Sequence, residues 1–183
     1  MKRFSQELRH GATMTIEQEL LLECARADRS RDTHVRKILE AGCDWADLRK
    51  TALQHGVLPL LYLRLKKVAP DLVPQQELAT LQKLYWGNFR RNLIITSELV
   101  KLLDLLRTHG VPAIPFKGPV LAAHAYGDVC LRQFVDLDIL VRRDDMKKIQ
   151  RLLTANGYRL WHDFTPAQEK SHLRRTCEFT FMP

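Results

Sequence analysis

Apolar and polar residues alternate with the period of an α-helix through residues 15–110 of the chain. The sequence predicts four short helices, in residues 15–27, 32–42, 44–56 and 57–69. Thr15 and Asp44 open two of them and predict N-caps, because their side-chain oxygens accept hydrogen bonds from unpaired backbone N–H groups. The period continues through residues 74–109, which predicts one long helix that Gly110 ends.

The pattern changes after Gly110 to short apolar runs separated by helical segments. Strands are predicted in residues 111–118, 134–141, 159–164 and 176–183, and helices in residues 119–127 and 142–157. Strands that alternate with helices favour layers of sheet and helix. We therefore expect an α+β protein with a flexible tail in residues 1–14, a helical region in residues 15–110 and a sheet-containing core in residues 111–183.

The chain carries a formal net charge of +8, with 29 Lys and Arg residues against 21 Asp and Glu residues. The cations are spread along the chain without interleaved aromatic residues, so they favour solvated helix faces and small anions such as nucleotides more than a nucleic-acid surface. No apolar run reaches the roughly 18 residues of a membrane span. The four cysteines lack paired spacing and the N-terminus lacks a signal-peptide core, which predicts a cytoplasmic protein that does not enter a membrane.

Asp136 and Asp138 stand in the otherwise apolar segment of residues 134–141. Because side chains alternate faces along a strand, we expect both carboxylates on one face and Val135 with the other apolar residues on the core face. Two carboxylates about 7 Å apart along a strand repel each other unless a cation lies between them. Mg²⁺ takes one or two carboxylates together with substrate phosphates, so the pair predicts a metal–nucleotide site.

Lys117 and Gly118 precede this acidic segment and lead directly into the helix predicted from Pro119. Glycine permits close backbone approach, a helix N-terminus attracts phosphate, and lysine adds a point charge. Each feature alone is also typical of an ordinary turn or a half-exposed strand. Their order and combination carry the hypothesis of a nucleotide site.

These residues resemble an uncharacterised bacterial family of the DNA-polymerase-β-like nucleotidyltransferase superfamily. That family carries a K-G-x-x-L-A…Y-G…L-R…D-x-D-x-L-V run and a downstream G-Y, after a helical N-terminal region. The matching residues here are Lys117-Gly118, Leu121-Ala122, Tyr126-Gly127, Leu131-Arg132, Asp136, Asp138, Leu140-Val141 and Gly157-Tyr158. The stretch at residues 55–62, HGVLPLLY, is also similar, and the resemblance spans about residues 20–183.

The resemblance implies a helical region packed on a nucleotidyltransferase-fold mixed β-sheet with flanking helices. It implies that Asp136 and Asp138 are catalytic and bind Mg²⁺ or Mn²⁺, and that an NTP donates a nucleoside monophosphate to an acceptor. Lys117, Gly118 and Arg132 would bind the nucleotide, and Arg132 would sit near the triphosphate or support the acidic strand. The acceptor is left open between a small molecule, a peptide, a protein and an RNA end.

The chain departs from the superfamily pattern in two places. Pro119 stands where most catalytic members have Ser or Gly, and proline supplies neither a hydroxyl nor an N–H to a phosphate. A third carboxylate is expected on a later strand, and Glu178 is the remaining candidate, although its strand is expected to precede the one that carries the third acid.

We therefore expect an incomplete core, with a full-length form more active than these 183 residues. An open sheet edge would favour aggregation or an edge-mediated dimer. The alternative function is a non-catalytic relative that binds nucleotides or proteins with an incomplete active site.

Overall fold

The computed structural model describes residues 14–26, 30–162, 164–165, 168, 171–172 and 178–183. Its helices are α1 (Ile16–Ala25), α2 (Asp32–Glu40), α3 (Trp45–Gln54), α4 (Leu58–Val68), α5 (Gln75–Thr108), α6 (Gly118–Tyr126) and α7 (Met146–Ala155), with a 3₁₀ turn at Arg143–Asp145. Its strands are β1 (Ala113–Phe116), β2 (Asp138–Val141), β3 (Arg159–Leu160) and β4 (Phe181–Met182). Helices and small sheets occur together, which confirms the α+β class.

The predicted caps open their helices. Thr15 and Gln18 form a capping box at α1, in which the Thr15 hydroxyl accepts from the Gln18 N–H and the Gln18 side chain accepts from the Thr15 N–H. The Asp44 carboxylate accepts from the N–H groups of Ala46 and Asp47 at the start of α3. Both N-cap predictions are confirmed, because each side chain satisfies donors that have no partner within the helix.

The long helix predicted in residues 74–109 is confirmed as the 34-residue α5. Gly110 follows it with a φ of +65°, a left-handed conformation that glycine adopts without a steric penalty. One face of α5 is buried at steps of seven or four residues: Leu81, Asn88, Asn92, Leu99 and Leu106. Two of these five buried positions are polar, which sets them apart from the leucines of the same face.

The chain divides into two compact units. The first comprises residues Met1–Leu93 and Ala122–Val135, and the second comprises Ile94–Leu121 and Asp136–Pro183. In the first unit, fully buried leucines from α1, α3 and α4 form the centre of a helical core: Leu20, Leu48, Leu58, Leu61 and Leu65. Burial of each leucine contributes roughly 1.5–3 kcal/mol to the stability of the unit.

The core of the second unit joins the end of α5 to α7 and the sheets. Leu106 of α5 and Ile149 and Leu153 of α7 are buried there. Leu102, Leu105, Ile139 and Phe181 are among the partly buried residues that pack against them. The last turns of α5 are therefore part of the same core as β2 and α7.

The described strands form two separate two-stranded antiparallel sheets, so no parallel pair of the expected mixed sheet is found among them. β1 pairs with β2 so that Ala113 faces Val141 and Phe116 faces Asp138. β3 pairs with β4 in the same antiparallel sense.

The strand predicted in residues 134–141 is shorter than expected. It begins at Asp138, because its partner β1 ends at Phe116 and residues before Asp138 have no β1 residue to face. Val135 was predicted to face the core, and this was wrong: its side chain is 76% exposed. Ile139, which lies inside the paired segment, does pack against the core of the second unit.

Candidate functional site

A tight left-handed turn joins β1 to α6. Lys117 has a φ of +55° and Gly118 a φ of +36°. Such a φ costs a residue with a side chain roughly 1–2 kcal/mol, so Lys117 is held in an unfavourable conformation. The Lys117 carbonyl accepts from the Leu121 N–H at 2.9 Å, which places the start of α6 directly at the end of the strand.

Gly118 lies against the backbone of the acidic segment. A Cβ at this position would sit 3.4 Å from the backbone carbonyl oxygen of Asp136, at the lower limit of ordinary van der Waals contact. The positive φ explains why the turn carries glycine, while a Cβ here would touch Asp136 without a clash. The Asp136 residue is exposed and precedes β2.

Asp138 forms an ion pair with Lys117. The Lys117 Nζ lies 3.5 Å from Asp138 Oδ2, and the two side chains are 59% and 29% exposed. The β1–β2 register explains the contact, because Asp138 faces Phe116, the residue before Lys117. The same ammonium lies 5.1 Å from the centroid of the Phe116 ring, within the range of a cation–π interaction.

The structure brings Lys117, Gly118, Asp138 and the backbone of Asp136 together in the second unit. Arg132 belongs to the first unit, and its role in binding a nucleotide stays a prediction. Within the part of the chain that the structure describes, there is no cluster of three or more His, Cys, Asp or Glu side chains able to hold a metal. This end of β2 therefore presents the Asp138 carboxylate beside the Lys117 ammonium, and the exposed Asp136 lies two residues before Asp138.

Glu178, the candidate third carboxylate, is exposed and lies before β4. Its backbone carbonyl accepts a hydrogen bond from His172 Nε2 at 2.9 Å. Among the described residues it belongs to no acid cluster with Asp136 and Asp138. A catalytic role for Glu178 therefore has no structural support.

The sequence pattern did not single out Asn88 and Asn92, which anchor the segment that carries Arg132. The Asn88 Nδ2 donates to the Cys130 carbonyl at 3.0 Å. The Asn92 Nδ2 donates at 2.7 Å to the carbonyls of both Val129 and Arg132. Both asparagines are buried, so their amides replace water as the hydrogen-bond partners of this loop.

The anchored loop also bonds to itself, through the Asp128 Oδ1 that accepts from the Cys130 N–H at 2.8 Å. Burial and, to a smaller extent, the nearby Asp128 carboxylate together raise the pKa of the Cys130 thiol to about 11. The thiol therefore stays protonated at neutral pH, which is unsuitable for a nucleophile. The role of the loop is therefore to hold the backbone of Val129, Cys130 and Arg132 in place, and Cys130 is not a reactive thiol.

None of the helices in the described part of the chain is both long enough and apolar enough to cross a membrane.

One of three comparisons with known proteins found a match. A search of curated proteins and a search of solved structures each found no match. A family model described as "Uncharacterised nucleotidyltransferase" matches residues 41–180, which include the Lys117–Gly118 turn and both aspartates. Because this match covers more than half of the chain, the protein belongs to that nucleotidyltransferase family.

Proposed function

We propose that this protein is a Mg²⁺-dependent nucleotidyltransferase that transfers a nucleoside monophosphate from an NTP to an acceptor. The observation that carries the proposal is the meeting of Lys117, Gly118 and Asp138 at one end of the β1–β2 sheet. This arrangement offers a cation for phosphate beside a carboxylate for metal. Membership of the nucleotidyltransferase family supports the same chemistry.

The triphosphate would bind at the turn before α6. Lys117 is 59% exposed, so its ammonium is accessible to a phosphate, and Gly118 adds no side chain that would block the approach. Gly118 and Val120 contribute N–H groups to the first turn of α6, where the helix dipole favours an anion. Pro119 has no N–H, so Lys117 carries a larger share of phosphate binding than in a turn without proline.

Asp136 and Asp138 would hold the divalent cation. Carboxylate oxygens are the hard donors that Mg²⁺ and Mn²⁺ prefer, and one or two of them suffice when nucleotide phosphates supply further ligands. The donor set therefore fits a metal held jointly with the triphosphate. When bound, the metal would neutralise charge that develops on the phosphates during transfer.

The remaining residues would position the substrate. Arg132 is proposed to contact the triphosphate or support the acidic segment, an assignment that rests on its place in the Leu131-Arg132 motif. Attack at the α-phosphorus needs alignment and charge stabilisation more than a protein nucleophile. The acceptor is proposed to be a small molecule, a peptide, a protein or an RNA end.

A non-catalytic nucleotide-binding relative is the second candidate. Pro119 favours it, since this residue removes an N–H from the turn at which a phosphate would bind. Such a protein would bind Mg²⁺–nucleotide at the same residues without transferring a nucleoside monophosphate.

Labelling with NTPs that carry a radioactive α-phosphate separates the two functions. The protein, mixed with cell extract and Mg²⁺, is expected to label an acceptor only poorly, because no third carboxylate joins Asp136 and Asp138 among the described residues, and the Asp136→Asn/Asp138→Asn variant is expected to lose the label. The Asp144→Asn/Asp145→Asn variant is a matched control, because it removes the same charge a few residues downstream. Equal labelling by all three proteins, or none by the wild type, would refute transfer by this site.

A further inference from the structure

The ammonium of Lys117 lies where a metal ion would approach Asp138. Its Nζ is 3.5 Å from Asp138 Oδ2, and this carboxylate is only 29% exposed. The contact partly offsets the charge of Asp138, which is the more enclosed of the two aspartates. A divalent cation that binds Asp138 must therefore compete with Lys117.

We propose that Lys117 is a stand-in cation that keeps divalent metal off Asp138 until a nucleotide arrives. This inference rests on the proposed function. The Lys117 ammonium would exchange Asp138 for the triphosphate, which would leave the Asp138 carboxylate free to hold a metal together with the phosphates. Metal and nucleotide then bind in a coupled manner, while metal alone binds weakly.

The lysine side chain is suited to exchange partners. Its flexible four-carbon stem ends in a compact charge, and 59% of the side chain is exposed. The pair with Asp138 is weak because solvent screens it, so a triphosphate with several negative charges can compete for the ammonium. The left-handed turn holds the Lys117 backbone at the end of β1, so only the side chain needs to move.

If Lys117 exchanges partners in this way, one substitution at this position should strengthen the binding of metal alone and weaken the binding of nucleotide. Lys117→Met removes the charge but keeps an unbranched side chain at the same positive φ. The variant is expected to bind divalent metal alone more tightly, because neither the competing ion pair nor the repulsion between two cations remains. It is expected to bind Mg²⁺–ATP more weakly, because a phosphate contact is lost. If Lys117 served only to hold the turn, its replacement by methionine would produce neither of these two effects.

Electron paramagnetic resonance measures the binding of Mn²⁺ without nucleotide, because it detects the free Mn²⁺ that remains in solution. The Mn²⁺ affinity of Lys117→Met is expected to exceed that of the wild type by about three- to tenfold. The gain should disappear in the Lys117→Met/Asp138→Asn double variant. Lys101→Met is the matched control, since Lys101 also pairs with a carboxylate, Glu98, at 3.3 Å, and it should leave Mn²⁺ affinity unchanged.

Calorimetry with Mg²⁺–ATP completes the test. Tighter Mn²⁺ binding together with weaker nucleotide binding by Lys117→Met would support the exchange. Equal Mn²⁺ affinity in the wild type and Lys117→Met, or an equal gain in Lys101→Met, would overturn it even if the nucleotide binds. If the wild type binds no nucleotide while the Mn²⁺ gain depends on Asp138, the proposed function fails and the exchange is overturned with it, because Lys117 then competes with metal for Asp138 without a nucleotide to displace it.

Discussion

Asn92→Ala is expected to be among the most damaging polar substitutions in this chain. The Asn92 side chain is fully buried, and its amide donates to two backbone carbonyls, those of Val129 and Arg132, at 2.7 Å each. Alanine removes this donor from both carbonyls, which belong to the half-buried residues Val129 and Arg132. Each acceptor that loses the buried amide costs about 1–1.5 kcal/mol, so the free energy of unfolding should fall by about 2–3 kcal/mol.

Two further variants calibrate this value. Asn88→Ala removes one buried bond, to the Cys130 carbonyl, and is expected to cost about half as much as Asn92→Ala. Asn156→Ala removes a bond of similar length, 2.8 Å to the Leu152 carbonyl, at an exposed position. Water can replace that donor, so the cost should stay within about 0.5 kcal/mol.

Urea unfolding of the full chain, followed by far-ultraviolet circular dichroism, measures all three differences. The predicted order of destabilisation is Asn92→Ala, then Asn88→Ala, then Asn156→Ala. If Asn92→Ala lowers the free energy of unfolding no more than Asn156→Ala does, then burial does not determine how much these hydrogen bonds contribute to stability. The view that α5 anchors the loop of Val129 and Arg132 would then be refuted.

Three other predictions concern the turn, a surface ion pair and the second core. Gly118→Ala and Gly127→Ala both place alanine at a positive φ, and each should lower the free energy of unfolding by about 1–2 kcal/mol. Only Gly118→Ala, whose Cβ would touch the backbone of Asp136, should weaken Mg²⁺–nucleotide binding in calorimetry. Hydrogen bonds from Arg36 lower the pKa of Asp71 to about 2, below its usual 3.8, so the pair stabilises the fold above pH 4 and loses this effect as the pH falls towards 2. NMR of the Asp71 carboxyl group should show a titration midpoint near pH 2 in the wild type and a higher midpoint in Arg36→Met. A chain of residues 111–183 lacks the α5 leucines of the second core and should show no cooperative thermal melt.

Much of the helical structure was predictable because its signals are local. A side-chain oxygen before a helix satisfies donors two or three residues away, so Thr15 and Asp44 could be identified as caps from sequence alone. Gly110 ends α5 for an equally local reason, its positive φ. The turn at Lys117 and Gly118 was also predicted as the start of a helix, and α6 begins there.

Features that depend on distant partners were not predictable. The alternation around Asp138 suggested a strand from residue 134, but the length of β1 determines where pairing begins, and Val135 is left exposed. Asn88 and Asn92 were overlooked because polar residues in a long helix usually face solvent. Their position in the same buried steps as the leucines of α5 was the signal that could have identified them.

The most direct test of the account is calorimetry of Mg²⁺–ATP and Mg²⁺–CTP binding to the wild type and to the Asp136→Asn/Asp138→Asn variant. The account predicts measurable heat and saturable binding of at least one nucleotide by the wild type. It predicts a loss of that binding in the variant and its retention in Asp144→Asn/Asp145→Asn. Equal heats for the wild type and the Asp136→Asn/Asp138→Asn variant would contradict the claim that these two carboxylates form a metal–nucleotide site.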